Sequence, residues 1–244
     1  MTPSTTAFVF QHNWFNHLTG KLWAEYLMRY KPSISRYLEC GVAEGQSMLW
    51  VLKNLLDDKP EGYAVGVDPF LDARSWHSGE GDAHRANAVG NLTALLGGKP
   101  VSFTNGMYLW GIRADGKERP VICELHQQPS QAYLKIEHRE FDMAYVDGNH
   151  EAPKAMLDIL LCFGLLREGG LLVVDDYERY MRGGMPQVRP AVNAFMSTHR
   201  GYFDVVYEHP KQIAFIKRKK LRRRGDYPPT LIAVPSIEPS GDTG

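Results

Sequence analysis

Apolar and polar positions along the 244 residues fall into two alternating rhythms. Short apolar runs of strand length stand at 37–40, 63–68, 141–147 and 171–176. Between them, helical spacing recurs over 48–56, 85–96, 153–166 and 188–200, with Pro153 suited to a first helical turn. Ahead of the first strand, Trp14, Phe15, Leu18, Leu22, Trp23, Tyr26, Leu27 and Tyr30 recur at helical spacing. They predict one or two amphipathic helices within residues 8–30, ended by Lys31-Pro32-Ser33. That layer packs on the sheet in the simplest reading, and serves as a lid or a contact with a second copy of the chain in the sharper one. Two stretches, 101–104 and 121–125, compete as the third core strand. Asn-Gly and Asp-Gly turn signals within 105–120 predict an inserted hairpin. The second stretch is preferred, because 128–131 then reads as a loop and helix start. Residues 202–208 and 212–217, split by His209-Pro210-Lys211, predict a closing antiparallel pair.

Strand and helix therefore alternate through five units. That order predicts an α/β fold with a doubly wound, mostly parallel sheet and helices on both faces. Four strands end in carboxylates: Glu39, Asp68, Asp147 and the pair Asp175, Asp176. Ligands of open α/β sheets bind outside the carboxyl ends of the strands, so these acids would face one site. Residues 71–84, with Trp76, His77, Asp82 and His84, read as a loop over that site.

Within Glu39-Cys40-Gly41-Val42-Ala43-Glu44-Gly45-Gln46-Ser47, a strand passes through a tight turn into a helix. Gly41 and Gly45 let the backbone bend sharply and let a ligand lie against it. The helix start aims free N–H groups at the turn. The spacing is G-x-x-x-G, not the G-x-G-x-x-G of dinucleotide sites, which argues against an NAD-dependent oxidoreductase. Asp68 follows the turn at the distance from which an acid accepts hydrogen bonds from ribose hydroxyls, and Pro69-Phe70 could lay a ring near a base.

Composition adds limits. An apolar content of 43% over this length supports one sizeable α/β domain. Formal charge is zero, but residues 217–224 hold seven basic side chains and leave the rest of the chain acidic. That run could grip phosphates of nucleic acid or a membrane surface; with no aromatic platform beside it, a solvated end of the last strand is the preferred reading. Cys40, Cys123 and Cys162 lie in apolar surroundings without C-x-x-C spacing, which fits a reduced, cytoplasmic protein. No signal peptide is read at the start, and no apolar run approaches the roughly 20 residues of a membrane span.

The combined motifs resemble a known family. E-x-G-x-x-x-G-x-S is similar to the first motif of class I S-adenosylmethionine (SAM) dependent methyltransferases. Asp147-Gly148-Asn149-His150, then Asp158, then Gly169-Gly170 and Asp175-Asp176-Tyr177 resemble the D-G-x-H and G-G-x-x-x-x-D-D signatures of small members, nearest the group that includes macrocin O-methyltransferase. The resemblance spans about 36–217 and is poorest at 71–84 and 105–120. It implies a Rossmann-like, seven-stranded sheet with the last strand antiparallel, SAM as methyl donor, and often a divalent cation such as Mg²⁺. It implies Glu39, Gly41, Gly45 and Ser47 along the methionine and ribose of SAM, Asp68 on the ribose hydroxyls and Ser130 near the adenine. It further implies Asp147, Asp175 and Asp176 as metal ligands and His150 as the base, acting on a hydroxyl of a small molecule such as a sugar or natural product. The expected organisation is an N-terminal helical segment over 1–32, a methyltransferase domain over 33–220 and a basic, Pro-rich tail over 221–244.

Overall fold

The computed structural model describes residues 8–15, 17–70, 81–97, 101–103, 106–112, 118–179 and 187–218. Strands β1 (Arg36–Cys40), β2 (Tyr63–Val67), β3 (Val101–Phe103), β4 (Gly106–Ile112), β5 (Glu118–His126), β6 (Phe141–Val146), β7 (Leu166–Asp175), β8 (Phe203–His209) and β9 (Gln212–Lys217) form one sheet in the order β3-β4-β5-β2-β1-β6-β7-β9-β8. The strands from β5 to β8 in that order are the expected seven, with β9 antiparallel to β7. The insertion adds two more: β4 runs antiparallel to β5 and β3 to β4. As expected, 121–125 lies in the core strand, and 101–103 is an outer edge.

The strands at the centre carry apolar residues on both faces, as a parallel sheet covered twice requires. Tyr37, Ala64, Met143, Tyr145 and Val173 face helices α1 (His17–Tyr26), α2 (Gln46–Asn54) and α3 (Gly81–Leu96). Leu38, Val65, Ala144, Val146 and Val174 face α4 (Ser130–Leu134), α5 (Ala152–Leu165) and α6 (Val188–Thr198). The three cysteines are buried and free. No helix among the described residues is long and apolar enough to cross a membrane.

Three local expectations are corrected. Residues 8–15 are not helical, because side chains of the domain take their backbone N–H groups; helix forms only from His17, and Met28–Ser33 is a short 3₁₀ turn. Helix α3 begins at Gly81, so Asp82 and His84 stand on its first turns and not in a loop; residues 71–80 lie outside the described residues. At the other end, Lys217 is not a solvated charge. Its ammonium donates to the carbonyls of Phe163, Gly164 and Leu166, satisfying the last turn of α5. The rest of the basic run and the tail lie outside the described residues.

Strand periodicity places Glu39 on the same face as Tyr37, inside the layer of α1–α3. Its carboxyl is wholly buried, taking a hydrogen bond from Tyr37 Oη at 2.7 Å and another from Ser47 Oγ at the start of α2. Burial pushes its pKa to about 8 against those two bonds, with Asp147 and Asp68 adding to the rise. An acid with a raised folded pKa binds extra protons in the fold, so stability falls as pH rises from the ordinary carboxyl value towards 8. We predict that Glu39→Gln removes this decline: within about 1 kcal/mol of wild type at pH 4, clearly more stable than wild type at pH 9, read from urea midpoints.

Gly41 and Gly45 have φ of +90° and +77°. A Cβ on Gly41 would stand 2.0 Å from the Asp147 carbonyl oxygen, whereas one on Gly45 would meet nothing closer than 3.6 Å. Both positions carry left-handed strain for alanine, but only Gly41 adds a backbone clash. Gly45→Ala is expected to cost about 1–2 kcal/mol and Gly41→Ala at least about twice that, in the same urea assay.

Candidate active site

The order β2-β1-β6-β7 sets four acid-bearing strand ends side by side, as the alternation predicts. The reversal of strand order lies between β1 and β6, where an open sheet binds its ligand. The turn after β1 is built on Asp68. Its Oδ2 accepts the backbone N–H groups of Val42 and Ala43, each at 2.9 Å, and Oδ1 accepts that of Phe70 at 2.7 Å. Burial nevertheless raises its pKa, three N–H donors notwithstanding. Asp68 is thus first the brace of the turn. A carboxylate oxygen accepts two bonds, so Oδ1 keeps one acceptor position for a ligand hydroxyl.

Strain collects at the same edge. Ala43 and Phe70 have φ of +46° and Asp176 +53°, all outside the usual regions for side-chain-bearing residues. Each stands directly beyond a strand end that bears an acid.

Beyond β6 and β7, three side chains converge: Asp147, His150 and Asp176 offer ligand atoms all within 4.8 Å of one another. His150 Nε2 lies 2.9 Å from Asp176 Oδ2 and 3.9 Å from Asp147 Oδ1. The short contact is an ion pair without hydrogen-bond alignment, and Nε2 is buried with no aligned partner. Tyr145 Oη donates to Asp147 at 3.2 Å, and Arg179 Nη1 to Asp176 at 2.6 Å. Burial works against charge on the imidazole, but the two carboxylates outweigh it and raise His150 to about 9. Burial also lifts Asp147, while on Asp176 the cations His150 and Arg179 overcome it and hold the carboxyl low.

Asp175 is not part of that convergence. Its Oδ1 accepts from Gln212 Nε2 at 2.6 Å, and Gln212 Oε1 accepts from Trp23 Nε1 at 2.8 Å and Tyr26 Oη at 3.1 Å. Asp175 closes β7 facing the α1 layer, whereas Asp176 stands beyond the strand with its left-handed backbone and joins the site. Glu39 and Ser47 are bonded to each other beneath the turn, and Ser130 Oγ donates to Asp158 Oδ1 at 2.8 Å.

Several residues at the site were not singled out from the sequence. Glu44, between the two glycines, accepts the N–H groups of Gln11 at 2.7 Å and His12 at 2.9 Å, and the Asn87 amide at 2.8 Å. Gln46 accepts the N–H of Phe15, and Asn91 pairs with both backbone groups of Val9. These bonds fasten residues 9–15 along the rim of the turn. Glu44 stood inside the motif and could have been singled out; its partners, more than thirty residues away, could not.

Residues 38–177, more than half of the chain, match the family described as a methyltransferase domain. Protein R132 of Acanthamoeba polyphaga mimivirus, described as uncharacterized, is 24% identical over 161 residues; these are 66% of this chain and 59% of that protein, so the match spans less than two thirds of that relative. The O-methyltransferase TomG of Streptomyces achromogenes, involved in tomaymycin synthesis and solved in complex with SAM, superposes with a TM-score of 0.52 at 17% identity, over 83% of this chain and 80% of that one. The methyltransferase PaMTH1 of Podospora anserina, solved with S-adenosylhomocysteine (SAH), gives 0.53 at 19% identity, over 83% and 79%. At these identities the likeness to solved structures is one of fold. The nine-stranded sheet contains the class I methyltransferase order, and the chain belongs to the methyltransferase-domain family.

Proposed function

We propose that this chain is a SAM-dependent methyltransferase that transfers a methyl group to a hydroxyl of a small molecule, with a divalent cation assisting. The observation that carries the reading is the convergence of Asp147, His150 and Asp176 at the point where strand order reverses. Two carboxylates and an imidazole nitrogen whose ligand atoms all lie within 4.8 Å of one another fit a divalent cation by their donor chemistry. Asp147 and Asp176 would hold the ion. The acids of this edge also disfavour a polyanionic acceptor such as RNA, which would meet like charge.

SAM in the turn supplies an electrophilic methyl, and a cation on Asp147 and Asp176 supplies Lewis acidity to the acceptor hydroxyl. The chain's own residues do the rest. Asp68, through the free position on Oδ1, orients the ribose. Gly41 and the open face of the turn leave the methionine its path. Tyr145 and Arg179 fix the two carboxylates, so an acceptor bound beside them would be held in one position, on which such a transfer depends. His150 takes the hydroxyl proton at Nε2. With its carboxylates uncompensated it is already protonated at neutral pH; neutralising them lowers its pKa and frees Nε2 to accept.

Two measurements test this. Calorimetry should show SAM binding with no NADH binding, and Asp68→Ala should weaken SAM by about tenfold or more, the worth of one charge-assisted hydrogen bond. An unchanged affinity removes Asp68 from the cofactor site. In the metal-free protein the His150 ring should titrate by NMR with a midpoint of about 9. Because that pKa is raised on folding, the stability it contributes is present below the unfolded histidine value and lost as pH rises through 9. Adding Mg²⁺ or Mn²⁺ should move the midpoint down, and chelator should abolish methyl transfer. A midpoint indifferent to either ion, with full activity in chelator, would falsify the metal assignment.

A further inference from the structure

A cavity of about 460 Å³ opens between α6 and the hairpin of β8 and β9, lined by Asn193, Met196, Ser197, Arg200, Phe203 and Arg218. Strand register places it far from the acidic cluster. Gln212 opens β9 opposite Asp175, whereas Lys217, at the other end of β9, pairs with Phe203. The step from Gln212 to Arg218 is six residues, about 20 Å of strand. The cavity therefore lies by the amino end of the central strands, and the acids by their carboxyl ends.

Its rim is cationic and its floor apolar. Arg200, just beyond α6, is exposed, and its guanidinium has no ion pair or hydrogen bond among the described residues. Arg218 Nε donates to Asp204 Oδ2 at 2.8 Å and Nη2 to Oδ1, an exposed pair that occupies one edge of the guanidinium. The other edge, Nη1 with the second Nη2 hydrogen, keeps its donors for an incoming anion. Such an edge meets a phosphate as a fork, while Asp204 steadies the plane from the far side. None of the described residues lining the cavity is acidic. Asn193 and Ser197 add neutral polar groups, and the half-buried Met196 and Phe203 form the floor. Gly201, with φ of +87°, leaves the rim open: a Cβ there would meet nothing within 4 Å.

Two guanidinium groups above an apolar floor fit a phosphate joined to a flat ring, the two parts of a nucleotide. The sequence says that one such unit is not the whole ligand. After Arg218 come Lys219, Lys220, Arg222, Arg223 and Arg224, more charge than a single phosphate calls for. Along the sequence this run has no aromatic platform beside it. Folding supplies one, because Phe203 pairs with Lys217 and the Arg218 N–H donates to the Tyr202 carbonyl at 2.8 Å. We propose that this cavity anchors single-stranded nucleic acid, with a phosphate on Arg200 and Arg218 and its base over Met196 and Phe203. A strand held here is a tether and not the methyl acceptor, since the acidic cluster that would repel it stands at the far end of the sheet.

Fluorescence anisotropy of the full chain with a labelled oligouridine of about twelve residues tests this. In about 0.1 M salt, wild type should bind it more tightly than the duplex it forms with oligoadenosine, and at least about tenfold more tightly than uridine monophosphate used as competitor. Arg200→Ala and Asn193→Glu, both at exposed positions, should each weaken the oligouridine about three- to tenfold. Arg200→Ala should also reduce the slope of log affinity against log salt by about 0.7, the share of one phosphate contact on a single strand. Lys53→Gln, on the exposed face of α2 across the sheet, removes the same charge and should change neither quantity. Equal losses in Lys53→Gln and Arg200→Ala would reduce the binding to net charge and overturn the site. Loss on replacing Arg222, Arg223 and Arg224 by Gln, with none in Arg200→Ala or Asn193→Glu, overturns it too. So does binding to phosphatidylserine vesicles without binding to oligouridine, which would assign the basic end to a membrane surface. An oligouridine bound no more tightly than the monophosphate overturns the strand as ligand. None of these outcomes bears on the SAM reading.

Discussion

The close approach of the turns after β1 and β6 is the constraint on which the site depends. Asp147 N–H donates to the Cys40 carbonyl at 2.8 Å, and Gly41 N–H to the Val67 carbonyl at 2.9 Å, so three adjacent strands are stitched together at their carboxyl ends. The crossing is tight enough that Gly41 has no room for a side chain. The glycine usually credited to ligand clearance is therefore demanded first by the protein's own backbone. One consequence is mechanical: the wall of the turn after β1 and the base of the acidic cluster are the same few atoms. A shift in one cannot leave the other in place, because packed backbone yields little.

The N-terminal segment belongs to this machinery through polar bonds more than through apolar cover. Trp23 and Tyr26 reach Gln212, and Gln212 holds Asp175. Residues 9–15 are held by Glu44, Gln46 and Asn91 on the other side of the turn. Both groups of bonds join a segment outside the sheet to the ends of central strands. Their partners lie between 31 and 189 residues away, so they are long-range bonds that no local pattern encodes.

What the sequence revealed follows the same division. Strand order, the choice of 121–125 over 101–104 as core, and the adjacency of the acids were legible, because each rests on periodicity, on turn residues or on the rules for parallel connections. The helical pattern of residues 8–15 misled: Trp14 and Phe15 share a helical rhythm with α1, but backbone bonds to Glu44 and Gln46 outweigh local preference. The separation of Asp175 from Asp176 was not legible, since the strand ends at Asp175 and a left-handed backbone at Asp176 turns its side chain away. It was hidden because the two acids read as one motif. Gln212 gave no signal at all; a lone glutamine after a turn becomes meaningful only when it is found buried between an indole and a carboxylate.

Five carboxylates at one edge would repel one another, and the fold answers this by treating each differently. Glu39 is buried under two hydroxyl donors, with a pKa high enough to keep its proton at neutral pH. Asp68 spends its charge on three backbone N–H groups. Asp175 is tied to a neutral amide, and burial raises its pKa well above the ordinary value. Asp147 and Asp176 face cations directly, in the form of His150 and Arg179. The negative charge of the edge is thereby concentrated at one place, beside the only histidine the described residues bring to that cluster. A field so focused favours positive charge, and it stabilises a proton on His150. The same two carboxylates thus keep a proton on His150, so the charge of that proton and the charge of the cluster are balanced against each other at one point.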